Sequence, residues 1–144
     1  MPSYASLSEL KAGIPPRDLV QLTDFDSDAD QVDDARLQAA LDDASAEIDS
    51  RIAKAVTLPM AEPPRMLAVL CRDLAVHRLY SNVGMATEAQ TKLRAEAVAF
   101  LEKVGRGELS LGGTGDAPPQ TTSPGVAMTD GPERLLTRDR LKGF

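Results

Sequence analysis

The chain has 144 residues, enough for one domain and too few for two comfortable ones. Its formal net charge of −6 argues against tight wrapping of nucleic acid, which needs clustered Lys and Arg, and its single cysteine, Cys71, rules out an intrachain disulfide or a thiolate metal cluster. Hydrophobic residues make up 42% but aromatics only 3%, so the core must come from Leu, Ile, Val, Met and Ala, which suits packed helices and leaves room for subunit association to add stability.

The opening MPSYASLSEL has no basic start followed by an apolar run, and no stretch approaches the roughly eighteen apolar residues of a membrane span. A soluble protein folded in a reducing cytoplasm is expected. Ser6-Leu7-Ser8-Glu9 reads as a capping box that starts a short helix, which Gly13 and Pro15-Pro16 close. Pro16 then suits the first turn of a second short helix, Arg17 to Leu22, whose Leu19, Val20 and Leu22 pack on the main body as part of an N-terminal flap.

Thr23 to Asp34 contains six aspartates in twelve residues. Asp24, Asp26 and Asp28 have the alternating spacing of the first calcium ligands of an EF-hand, but the pattern fails where it is strict. Counted from Asp24, the glycine position holds Ala29 and the bidentate-glutamate position holds Ala35; counted from Asp26 they hold Gln31 and Leu37. The plainer reading is a solvated loop whose last acids, Asp33 or Asp34, cap the following helix.

That helix, Asp33 to Ala55, is the organising element. Leu37, Ala40, Leu41, Ala44, Ile48, Ile52 and Ala55 recur at spacings of three and four and line one face. Arg36, Gln38, Asp42, Asp43, Glu47, Asp49, Ser50, Arg51 and Lys54 fill the faces that prefer water. Val56 to Met60 reads as extended, and Ala61-Glu62-Pro63-Pro64 as a stiff connection to a helix from Arg65 to about Asn82. There Leu67, Leu70, Cys71, Leu74, Ala75, Arg78 and Leu79 keep the same rhythm, and Met66, Val69 and Val76 widen the stripe as if it were covered on two sides.

Gly84 ends that helix, and Thr87-Glu88-Ala89-Gln90 is a second capping box. Leu93, Ala97, Phe100, Leu101 and Val104 form the expected buried face of the helix it opens, which Gly105-Arg106-Gly107 terminates. Three main helices on short connections tend to run antiparallel to their neighbours. Glu108-Leu109-Ser110-Leu111 alternates polar and apolar as one short strand or arm.

From Gly112 the composition turns to GGTGDAPPQTTSPGVAMTDGP, a flexible linker over residues 112–132. Residues 133–144, ERLLTRDRLKGF, regain Leu and charge as a C-terminal docking arm. Acids and bases cancel beyond residue 111, so the helical domain, residues 1–111, holds the whole −6. The fold class is therefore all-α: a small bundle of three main helices, short N-terminal helices, one short strand or arm, and an extended tail.

No catalytic constellation emerges. His77 lies one turn after Asp73, which reads as an ordinary i,i+4 pair, because no serine or second base has a distinctive place beside them. Cys71 sits on the apolar stripe as a small core residue. Gly112-Gly113-Thr114-Gly115 lacks the Lys-Ser/Thr of a phosphate loop. The expectation is a protein that is not an enzyme and needs no cofactor and no metal.

Several features together resemble a known family: Tyr4 and Leu10, then Leu19-Val20-Gln21-Leu22-Thr23-Asp24, then Leu37 to Ser50 with its Ala-Leu-Asp-Asp-Ala-Ser-Ala-Glu-Ile-Asp run, then Leu58-Pro59, Pro64, Leu70 to Ala75, Leu79-Tyr80, Leu101 and Gly107. In this order they resemble the Mu-like phage head-to-tail joining proteins, small helical adaptors grouped with connector proteins. Residues 4–111 carry the likeness, and Leu136-Thr137-Arg138-Asp139 to Gly143-Phe144 resembles the ending of some members. Relatives often place an aromatic residue and a second Arg before the Leu-Pro, where this chain has Ala55-Val56-Thr57.

The resemblance implies a head-completion adaptor in the virion, a ring homo-oligomer, in relatives a dodecamer, beneath the portal protein. Its partners would be further copies of itself, the portal, and a tail-terminator or tail-side connector protein, with DNA passing through unbound and no membrane involved. Under that reading Leu135, Leu136, Arg138, Arg140, Leu141 and Phe144 of the arm form the subunit or portal interface. Asp24, Asp26, Asp28 and Asp30 would face the channel and repel phosphates within a Debye length, about 8 Å at physiological salt. A solvated helix start remains the other account of those aspartates. The rival function is a small acidic helical regulator or DNA mimic that binds a basic host protein, which requires acids on one continuous face.

Overall fold

A computed structural model of the protein describes residues 3–24 and 31–112. Five helices follow one another: α1 (Leu7–Ala12), α2 (Pro16–Thr23), α3 (Asp34–Ile52), α4 (Arg65–Asn82) and α5 (Glu88–Gly105). The chain is all-α, with no strand among the described residues.

The starts of these helices follow from local chemistry. At α1 the Ser6 hydroxyl accepts from the amide of Glu9 at 3.3 Å while the Glu9 carboxylate accepts from the amide of Ser6 at 3.0 Å. Thr87 and Gln90 repeat the exchange at α5, at 3.2 and 3.0 Å. Each box satisfies amides that no helical carbonyl can reach. Asp33 caps α3, accepting from the amides of Ala35 at 2.9 Å and Arg36 at 3.3 Å. Pro16 and Pro64 open α2 and α4, where a missing N–H costs nothing. Gly84, at φ +71°, turns the chain out of α4, and the Met85 amide bonds back to the carbonyl of Tyr80 at 2.8 Å.

Three long helices stack side by side. The end of α4, at Leu79 and Asn82, lies beside Ala39 and Ala40, while Cys71 lies beside Leu41 and Ser45, so α3 and α4 are antiparallel. α5 returns antiparallel to α4, with Phe100 beside Met66 and Gln90 beside Val76. Leu37, Leu41, Ile48 and Ile52 of α3 are fully buried, as are Leu67 of α4 and Leu101 of α5. α3 and α5 approach so closely that a Cβ on Gly105 would lie 2.1 Å from the carbonyl oxygen of Arg51. Only glycine fits at that crossing.

The N-terminal helices close the bundle over α3 and α4. Leu10, Ile14, Leu19 and Leu22 join the core. The Tyr4 hydroxyl donates to Asp49, and the Tyr80 hydroxyl donates to Asp18 of α2 at 2.5 Å. Burial and the neighbouring carboxylates push both phenols up, Tyr80 to about 12. Thr23, buried at the end of α2, accepts from the Asp33 amide at 3.1 Å and donates to the carbonyl of Leu19 at 2.8 Å. That bond holds the end of α2 to the residue that caps α3.

Some expectations change on contact with the structure. Of the strand or arm expected at Glu108 to Leu111, no strand forms; Leu111 instead packs partly on the core. α3 stops at Ile52 rather than Ala55, and the Leu58–Pro59 peptide that follows is cis. Asp73 does not pair with His77. Its carboxylate takes the Arg72 guanidinium at 2.8 Å, and His77 lies 3.4 Å from the hydroxyls of Ser81 and Thr91. Leu93, expected on the buried face of α5, is 57% exposed.

Candidate interaction surface

Two features distinguish the surface made by α3, α4 and α5. The first is a charge cluster centred on Glu47. One carboxylate oxygen accepts from Arg51, one turn along α3, and from Arg94 of α5, each at 3.0 Å. The other accepts from Arg78 of α4 at 3.2 Å. Arg78 reaches on to Asp43 at 3.1 Å and Arg51 to Glu102 at 3.1 Å, so the network ties the three long helices together.

Glu47 is only 15% exposed at its side chain. Burial alone would raise its pKa, but the hydrogen bond from Arg51 and the charges of Arg94, Arg51 and Arg78 outweigh that and hold it below the usual carboxylate range. His77 stands at the edge of the cluster; burial and the charge of Arg94 push its pKa down, against the opposing pull of Glu47. Cys71 is buried against Ser45, and burial pushes its thiol up, so the reactive thiolate is disfavoured.

The second feature is a groove between α4 and α5 on the side away from α3. Its two lobes have volumes of about 290 and 310 Å³. Met66, Val69, Leu70, Ala97 and Phe100 line the first, Gly13, Arg72, Val76 and Gln90 line the second, and Leu93 and Asp73 belong to both. Met66 is 47% exposed. The groove exists because both helices are apolar over a wider arc than the α4–α5 contact itself can cover. Arms of two chemistries, one salt-bridged and one apolar, thus flank the same helix pair.

The sequence-based site residues fall unevenly on this map. Asp24 ends α2, its amide bonded to the carbonyl of Val20 at 2.7 Å, and it is partly buried. Asp26, Asp28 and Asp30 lie outside the described residues, as do Leu135, Leu136, Arg138, Arg140, Leu141 and Phe144. No group of three or more His, Cys, Asp or Glu able to hold a metal occurs among the described residues, and no helix there is long and apolar enough to cross a membrane.

Sequence reasoning placed Glu47 and Arg51 on a water-facing side of α3 and missed their role. Their i,i+4 spacing was the available signal. Arg78 offered another, a cation lying on an apolar stripe, but its partners come from a different helix.

The family described as Bacteriophage Mu, Gp36 matches residues 4–130. A Mu-like prophage FluMu protein gp36 of Haemophilus influenzae is 33% identical over 117 residues, 81% of each chain. Gene product J of Escherichia phage Mu is 34% identical over 110 residues, 76% of this chain and 77% of the relative. With a match over most of its length and relatives above 30% identity, the chain belongs to the Bacteriophage Mu Gp36 family, a Mu-like phage protein.

Proposed function

We propose that this protein is a structural component of the phage virion, a head-to-tail adaptor that assembles as a ring beneath the portal, completes the DNA-filled head and offers the tail its attachment surface. The observation that carries the reading is the match to the Mu Gp36 family over residues 4–130. The chemistry of the body agrees with it. The salt bridges and the apolar packing hold helices to one another, and the side chains an enzyme would use are otherwise engaged: Cys71 in the core, Asp73 on Arg72, His77 against two hydroxyls.

In this role copies of the chain contact one another and the portal through residues 133–144, and a tail-side protein binds the finished ring. DNA passes through without specific binding. The aspartates of residues 24–30 line its path.

A DNA-mimicking regulator fits less well. Mimicry of a phosphate backbone needs unneutralised acids along one face, whereas Glu9, Asp33, Asp34, Asp43, Glu47, Asp73, Glu102 and Glu108 each pair with a Lys or Arg.

Deleting residues 133–144 tests the adaptor role. The expected result is a folded helical body that no longer forms rings or enters particles. Normal incorporation of the shortened chain would overturn the assignment of the arm.

A further inference from the structure

We infer that, in the free chain, the groove between α4 and α5 is the docking site for that same chain's C-terminal segment, residues 133–144. The assignment goes beyond the adaptor role and holds whether or not that role does.

The groove offers Met66, Val69, Leu93 and Phe100 as an apolar floor, with Leu93 and Met66 more exposed than large apolar side chains of a core-facing stripe should be. Such a strip calls for a partner rather than for water. Residues 133–144 supply Leu135, Leu136, Leu141 and Phe144.

Charge agrees as well. Asp73 and Glu96 line the groove against one arginine, Arg72. The segment carries Arg134, Arg138, Arg140 and Lys142 against Glu133 and Asp139.

Reach favours the chain's own segment over that of a second copy. α5 ends at Gly105, past Phe100 and therefore beyond the Met66–Phe100 end of the groove, and the described chain continues to Gly112. Residues 113–132 then span up to roughly 70 Å when extended, against about 27 Å for the length of an 18-residue helix such as α4. A segment on so short a tether is present at an effective concentration of order mM, which a second copy does not match at ordinary protein concentrations. Docking also removes the segment's leucines and Phe144 from water until another partner takes them.

Methyl NMR of the full chain labelled at methionine tests the assignment. Met66 reports on the groove, identified by Met66→Leu, and Met60, which packs on the core outside the groove lining, reports on the fold. The Met66 signal should shift between the natural chain and a full-length Leu141→Glu/Phe144→Glu variant while Met60 stays in place. Dilution should leave the natural chain's signal unchanged, and Leu93→Glu in the groove should abolish the difference. A synthetic peptide of residues 133–144 added to the double variant should restore the natural position. An identical Met66 signal in both chains would overturn the inference. So would a shift that fades on dilution, because the occupant would then be a second copy.

Discussion

The α3–α4 seam and the α4–α5 seam are both apolar helix contacts, yet one closes and the other stays open. Between α3 and α4, Ala44, Ser45, Cys71, Leu74 and Ala75 are all buried, and the Ser45 hydroxyl and Cys71 thiol, 3.3 Å apart, use each other as partners. Along the outer side of the α4–α5 seam, Met66 and Leu93 remain open and the two lobes of the groove stay unfilled by described residues. Small side chains let the first pair of helices approach until water is excluded. Bulkier residues on too wide an arc leave the second pair with apolar surface to spare. Periodicity shows which residues are apolar; it does not show whether anything covers them.

Substitutions can break this contrast, and the closed side should respond most. Leu41→Ala or Ile48→Ala should cost about 2–5 kcal/mol in chemical denaturation, since both side chains are fully buried and leave a cavity. A loss below about 1 kcal/mol would mean that the central stripe of α3 is not core. Gly105→Ala should come next, at roughly 1–3 kcal/mol, because the new methyl meets the Arg51 carbonyl rather than a yielding side chain. An alanine tolerated without loss would show that α3 and α5 stand further apart.

Glu47→Gln should destabilise by about 1–3 kcal/mol at pH 7, leaving three arginines without their shared carboxylate. The sign of its pH dependence follows from the lowered pKa of Glu47. Its stabilisation is present above the unfolded carboxylate value, about 4.3, and is lost as pH falls through the lower folded value. The gap between natural and variant chains should therefore narrow in acid; a gap that widens would contradict the cluster. On the open side, in a chain lacking residues 133–144, Leu93→Ser should change stability by less than about 0.5 kcal/mol, as an exposed site away from the core does. A large loss in that shortened chain would mean that the helical body itself buries Leu93.

Local signals were legible from sequence where the physics is local. The Ser6–Glu9 and Thr87–Gln90 boxes, the Asp33 cap, the prolines before α2 and α4 and the buried stripe of α3 all depend on residues within one or two turns. What escaped depends on competition between near partners or on partners far along the chain. Asp73 went to Arg72 rather than His77 although both are within reach, and Glu47 gathered arginines from α4 and α5 as well as its own helix. Leu93 obeys the helical rhythm, yet its arc of α5 lies beyond the contact with α4. Residues 108–111, read as a short strand or arm, alternate as a strand would and form none, because alternation over four residues carries no information about a pairing partner.

The most direct test of the adaptor role is electron microscopy of particles made by the phage without this protein. The account predicts heads that hold DNA but remain unjoined, beside complete free tails. Normally joined virions would contradict it.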